Sequence, residues 1–195
     1  MQLLVFFSVQ LPKMDTTFIK HDLVNKNTDA FNTFFDAVFP KCYAIAIRYS
    51  KTEQQSKDIA QRCFTASLKN FLMSTTEHYD ESAFIRAYIV CVVTHLLSER
   101  TGELIADSIT ISPYRKNDSN TLFSSSEYYK NYTSDEVIGH IRKLNLIQQI
   151  IYNMSCIDKF TDVEIARIID HHPLSIKSML ERAKHKLYSS IKTAI

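Results

Sequence analysis

Apolar residues recur at helical spacing along Phe31, Phe34, Phe35, Val38, Cys42, Ile45, Ala46 and Tyr49, which predicts an amphipathic helix. Pro40 falls inside that stripe, removes one backbone donor and predicts a kink. Thr52 and Gln55 have the spacing of a capping box, so a second helix is expected to start there. Its inner face is Ile59, Cys63, Ala66, Ser67 and Phe71. A third helix, about residues 82–100, is apolar on two adjacent stripes: Phe84, Tyr88, Cys91 and His95, and Ile85, Ile89, Val92 and Leu96. A stripe that wide belongs in the middle of a bundle. Gly102 follows as a helix stop. From Thr101 to Thr133 the periodicity fails, and Ser, Asn and Tyr accumulate. A loop this long is unusual within a compact domain and reads as a linker, a single larger bundle being the competing view. Beyond it, Ser134 is a plausible N-cap. Ile138, Ile141 and Leu144, then Ile147, Ile150, Ile151 and Met154, mark two short helices broken near Asn145.

The stretch FTDVEIARIIDHHPLSIKSMLERAKHKL, residues 160–187, carries the most chemistry. Thr161 and Glu164 form another capping box, and Ile165, Ile168 and Ile169 follow on one face. Asp170 stands where the chain must reverse and tolerates the left-handed conformation. Pro173 suits the first position of a new helix. That helix turns Ile176, Met179, Leu180, Ala183, Leu187 and Ile191 inward, and places Lys177, Ser178, Arg182 and His185 on another face. The stretch admits three readings: a metal-binding turn at His171-His172, a bend between core helices, or a helix-turn-helix. The metal reading lacks a His or Cys at the spacing metal helices use. Helical hairpins with a solvated face are common, so the bend reading stays open on these residues alone.

Composition narrows the field. With 45% apolar residues the chain can build a core, and with only two glycines among 195 residues it favours helices over turn-rich sheet. Net charge is +2, but residues 171–195 hold five basic side chains against one acidic, a basic end suited to phosphate. Cys42, Cys63, Cys91 and Cys156 form no CxxC pair, which points to free thiols in a reducing compartment. The opening MQLLVFFSVQLPK lacks a basic leader and a cleavage site, and Met14 could equally be the start. The apolar run from Ala83 to Leu97 is shorter than the roughly 20 residues of a membrane span. These features are read as a cytoplasmic protein without membrane insertion. No phosphate loop, metal motif or nucleophile motif appears, so the reading is not an enzyme, with no cofactor, no metal and no small-molecule substrate.

Residues 160–187 resemble the region 4 helix-turn-helix of bacterial sigma factors of the extracytoplasmic function type, in the sigma-70 family. Glu164, Ile165, Ala166, Ser175, Ile176, Lys177, Ser178, Leu180, Arg182 and Ala183 fit that pattern. AFNTFFDAVFPKCYAIAIRYS resembles region 2.1, KDIAQRCFTASLKNF the region 2.2 to 2.3 helix, and AFIRAYIVCVVTHLLSER region 2.4. The resemblance runs from about Ala30 to Ile191 in the family's order. There are departures: Arg62 stands where an acid is usual, Leu174 where Gly is usual, and Cys91, Thr94 and His95 where Arg, Arg and Asn are frequent.

The resemblance implies an all-α fold of two small helical domains joined by a flexible linker: an N-terminal extension over 1–26, a region 2-like domain over 27–100, a linker over 101–133 and a region 4-like domain over 134–195. It implies a sigma factor that binds core RNA polymerase and directs initiation at promoter DNA, with an anti-sigma factor as a partner the family allows. By the same carry-over Asp58, Gln61 and Phe64 face the polymerase, while Tyr79, in the loop after the second helix, is read as a platform for unstacked bases of the −10 element, with Tyr88 and His95 beside it on the third helix. The −35 element falls to Ser175, Lys177, Ser178, Arg182, Lys184 and Lys186. The alternative is a degenerate helix-turn-helix regulator, or a module that sequesters a protein partner without opening DNA.

Overall fold

A computed structural model describes residues 16–75, 79–101 and 133–192. Among them every regular element is helical. In chain order these are α1 (Thr16–Val24), α2 (Thr28–Tyr49), α3 (Glu53–Met73), α4 (Glu81–Thr101), α5 (Ser134–Arg142), α6 (Leu146–Tyr152), a π-helical turn (Asn153–Ile157), α7 (Asp162–Ile168) and α8 (Pro173–Lys192). The all-α expectation holds. The expected linker and the Gly102 stop lie outside the described residues, apart from Thr101 and Thr133.

The helix starts follow local chemistry. Asn27 caps α2 by accepting from the backbones of Asp29 and Ala30, and the helix then runs through Pro40 as one element. The Thr52 side chain accepts from Gln55 N, but Gln55 Oε1 takes the Lys51 N–H and not that of Thr52, so this box is half formed. Thr133, not Ser134, caps α5: its N–H donates to Glu136 and its hydroxyl accepts from Glu136 N. The reason is reciprocity, since Glu136 stands three residues after Thr133 and can complete the box. Asn145 caps α6 and accounts for the break foreseen there. Part of the expected extension is also folded: Thr16–Val24 is helical, and its Leu23 joins the core.

α2, α3 and α4 form the first bundle around Phe34, Cys42, Ile59, Cys63, Tyr88 and Val92, all nearly or fully buried. α4 is long and apolar enough to meet a membrane-span criterion over Glu81–Arg100, yet Phe84, Tyr88, Ile89, Val90, Val92, Val93 and Leu96 are buried within the bundle. The second bundle centres on α8, which packs against α6 and α7 through Ile176, Leu180, Ala183, Leu187 and Ile191. Buried side chains of both bundles make one continuous core.

Three tyrosines and two thiols sit inside this core, and burial is the first cause that pushes the phenols of Tyr49, Tyr79 and Tyr88 and the Cys42 thiol upward, the last to about 12. Cys63 is raised by its hydrogen bond with Cys91 and by burial. Groups raised in this way hold their protons in the folded state while the unfolded chain releases them, Cys from about pH 8.5 and Tyr from about pH 10. Stability is therefore fully present below about pH 8 and falls with increasing slope above it, by up to about 1.4 kcal/mol per pH unit for each group in play. The hydroxyls of Tyr79 and Tyr88 have no hydrogen-bond partner among the described residues. Tyr88→Phe is thus expected to be neutral or stabilising at pH 7 and to flatten the alkaline fall. Urea unfolding at pH 7, 9 and 10.5 measures both effects.

Candidate nucleic-acid interface

The α7–α8 pair is built as its sequence foretells. Thr161 and Glu164 close a capping box, with Thr161 N donating to Glu164 Oε2 at 2.8 Å and Glu164 N to Thr161 Oγ1 at 3.3 Å. Asp170 adopts the left-handed conformation with φ 54°, and Pro173 opens α8. The paired histidines serve the turn itself. The His171 ring meets Ile169 O at 2.7 Å, and His172 Nδ1 accepts from Leu174 N at 3.3 Å. With its inner stripe buried, α8 leaves Lys177, Ser178, Arg182 and Lys186 exposed. Ser175 is half-buried, and its carbonyl accepts from the Ser178 hydroxyl. Lys184 is tied to Glu181 at 2.9 Å, which makes it a less available cation than its neighbours.

Lys186 belongs to a wider positive surface. Burial, then Lys186 and Arg142, lower the pKa of Lys51 on the first bundle, so three cations from both bundles stand close together. Arg100, at the end of α4, shares a cleft of about 700 Å³ with Arg182, His171 and Met179. Sequence periodicity could not have found these cross-bundle cations, because each lies outside the helix it joins.

On the first bundle, α2 presents a ladder of Phe31, Phe35, Phe39 and Tyr43, with successive ring centroids 6.0, 4.5 and 6.4 Å apart. These rings, with Lys57, Gln61, Phe64, Thr65 and Leu68 of α3, line an open groove of about 720 Å³. Phe64 is its floor, edge-on to Phe35 and Phe39 at 5.5 and 5.4 Å. Gln61 stands exposed on the rim, and Asp58 is exposed one turn earlier on α3, accepting from Gln54 Nε2.

Tyr79 and Tyr88 require a correction. A platform for unstacked bases needs an exposed ring face. Tyr79 is instead held in the aromatic core, edge-on to Phe34 at 5.3 Å and to Phe71 at 5.5 Å, and Tyr88 is 0% exposed. Both stabilise the bundle. His95 is partly exposed and meets Glu99 at 3.3 Å.

The two bundles meet through a polar clasp that sequence reading missed. Arg48, at the end of α2, donates to Asp158 at 2.9 Å, with each side chain only 7% exposed. The Tyr49 hydroxyl donates to the same carboxylate at 2.7 Å. Gln149 and Asn153, both fully buried, donate from their side-chain amides to Arg48 O at 2.8 and 2.9 Å. Burial disfavours the Arg48 charge, but Asp158 outweighs it and the guanidinium pKa is raised. A second contact joins Arg86 of α4 to Glu164 at 2.7 Å, with the guanidinium 3.8 Å over the Phe160 ring. Burial raises the Glu164 carboxyl, yet the Thr161 and Arg86 hydrogen bonds bring it below its ordinary value.

No family model and no curated protein matches this sequence. A solved structure does: the sigma factor RpoE from Bartonella quintana, in complex with the anti-sigma factor NepR, superposes with a TM-score of 0.52 at 15% identity. The chain has a sigma-factor fold. The match covers 83% of this chain and 96% of that one, more than either bundle could supply alone. The sigma-factor likeness thus extends to both bundles, in the order in which the sequence presents them.

Proposed function

We propose that this chain is a sigma-type initiation factor, whose first bundle docks on core RNA polymerase and whose second reads −35 promoter DNA through α8. What supports the reading is one observation: a two-bundle sigma-factor fold with the basic face of α8 left open to solvent. Lys177, Ser178 and Arg182 contact base edges in the major groove, Ser175, Lys184 and Lys186 hold phosphates, and Arg100 adds a cation from the first bundle. His95 is the remaining candidate beside the −10 element. The aromatic groove, with Gln61 on its rim and Asp58 near it, takes the polymerase. An anti-sigma factor is a further partner, since the matched sigma factor is bound to one.

Core polymerase and purified chain, mixed and separated by size, test the docking. Asp58→Ala with Gln61→Ala is expected to weaken co-elution at least several-fold while leaving helicity unchanged, because both side chains are exposed on α3. Co-elution at the wild-type level would remove these residues from the interface.

A second reading is favoured by the burial of Tyr79 and Tyr88: a factor that binds DNA or sequesters a partner without opening the duplex. Permanganate reactivity of −10 thymines in the polymerase complex separates the two, being present for an initiation factor and absent for a sequestering one.

A further inference from the structure

The first turn of α8 carries a side chain that neither core packing nor charge explains. Leu174 is 81% exposed, the most exposed large apolar residue among those described. It is also the second residue of its helix, and its position is fixed. Pro173 sets the backbone before it, and its own N–H is held by His172 Nδ1 at 3.3 Å. Lys177 and Ser178 stand three and four residues later, so Leu174 shares a helix face with both, and both are exposed.

Helices that enter the major groove touch bases with their N-terminal residues. The groove edges of the four base pairs are donors and acceptors with one exception, the C5-methyl of thymine. A leucine at this place has no hydrogen bond to offer, and the methyl is the base-edge group with the most apolar surface for it to cover. A polar edge placed against it would lose water and gain nothing.

We infer that Leu174 reads a thymine methyl group in the DNA bound by α8, and so makes the chain selective for a T·A pair beside the base pairs met by Lys177 and Ser178. This rests on the reading of α8 as a recognition helix. It adds an apolar readout to the polar one.

The test uses the full chain bound to core polymerase. Duplexes are selected from a library randomised over the −35 region, and each thymine in the selected site is then replaced by deoxyuridine, which removes the methyl and leaves every hydrogen-bonding group in place. At one position deoxyuridine is expected to weaken binding about fourfold, the effect of one buried methyl group. Leu174→Ala should bind thymine and deoxyuridine there equally well. The variant keeps its helix, because the site is exposed and alanine is the better helix former. Equal binding of thymine and deoxyuridine at every position by the wild type would overturn the inference, as would a selected site without thymine. In those cases a loss on Arg182→Ala would leave the recognition helix standing. No sequence-selective binding at all would overturn both.

Discussion

Arg48→Ala is expected to destabilise the protein by about 3–5 kcal/mol, because it leaves the Asp158 carboxylate buried without its cation. A solvated surface ion pair contributes at most about 1 kcal/mol, so burial decides the magnitude. The pair itself is not the source of all that energy. Taking two charges out of water opposes their attraction, and apolar replacements of similar volume are often neutral or better. Arg48→Met with Asp158→Leu should therefore recover part of the loss. What remains is the Tyr49 hydroxyl, which donates to Asp158 and would be left without an acceptor, at about 1–3 kcal/mol. Denaturant unfolding of the two single variants, the double variant and the wild type measures the cycle. A single variant within 1 kcal/mol of wild type would show that water enters the clasp.

The second large effect concerns DNA. Arg182→Ala is expected to cost about 1–3 kcal/mol of discrimination at one base pair, a loss of roughly 5- to 150-fold, and to leave other positions unchanged. Lys186→Ala should act differently, lowering affinity for all sequences alike and reducing the salt slope by about one counterion. Lys186 is the better choice for this comparison than Lys184, which is already paired with Glu181. Titrations of several duplexes at three salt concentrations separate the two behaviours. Uniform losses from both substitutions would reduce α8 to an electrostatic patch.

Much of the fold was legible because helices write their period into the sequence. The stripes of Phe31 to Tyr49 and of Ile176 to Ile191 came out as mostly buried faces, with Phe31 exposed and Phe35 and Met179 half-buried, and Asp170 and Pro173 came out as the turn and the start they resemble. Tyr88 lay on an apolar stripe and is buried as that stripe predicts, whereas Tyr79 misled for a physical reason. An aromatic ring satisfies either a core or a base, and nothing local distinguishes the two. For Tyr79 the deciding partners, Phe34 and Phe71, lie 45 and 8 residues away. The clasp was invisible for a related reason. Arg48 and Asp158 are 110 residues apart, and each taken alone looks like a solvated charge at a helix end. Leu174 was visible only as a departure from a pattern, and its exposure gave that departure a meaning.

The π-helical turn sets which residues can grip the first bundle. Asn153 and Asp158 hold the two ends of a single residue: one takes the Arg48 carbonyl and the other its guanidinium. Five positions along an ordinary α-helix are about 140° out of phase, on nearly opposite sides. Here Asp158 N donates to Asn153 O at 2.9 Å, and this wider turn brings the two side chains onto one side. With α-helical winding over the same stretch, the residue one turn after Asn153 would be Ile157, and an apolar side chain would meet the arginine. One surplus residue in the winding of a helix thus converts an apolar approach into a two-handed grip, and the alignment of the two bundles depends on that change of phase.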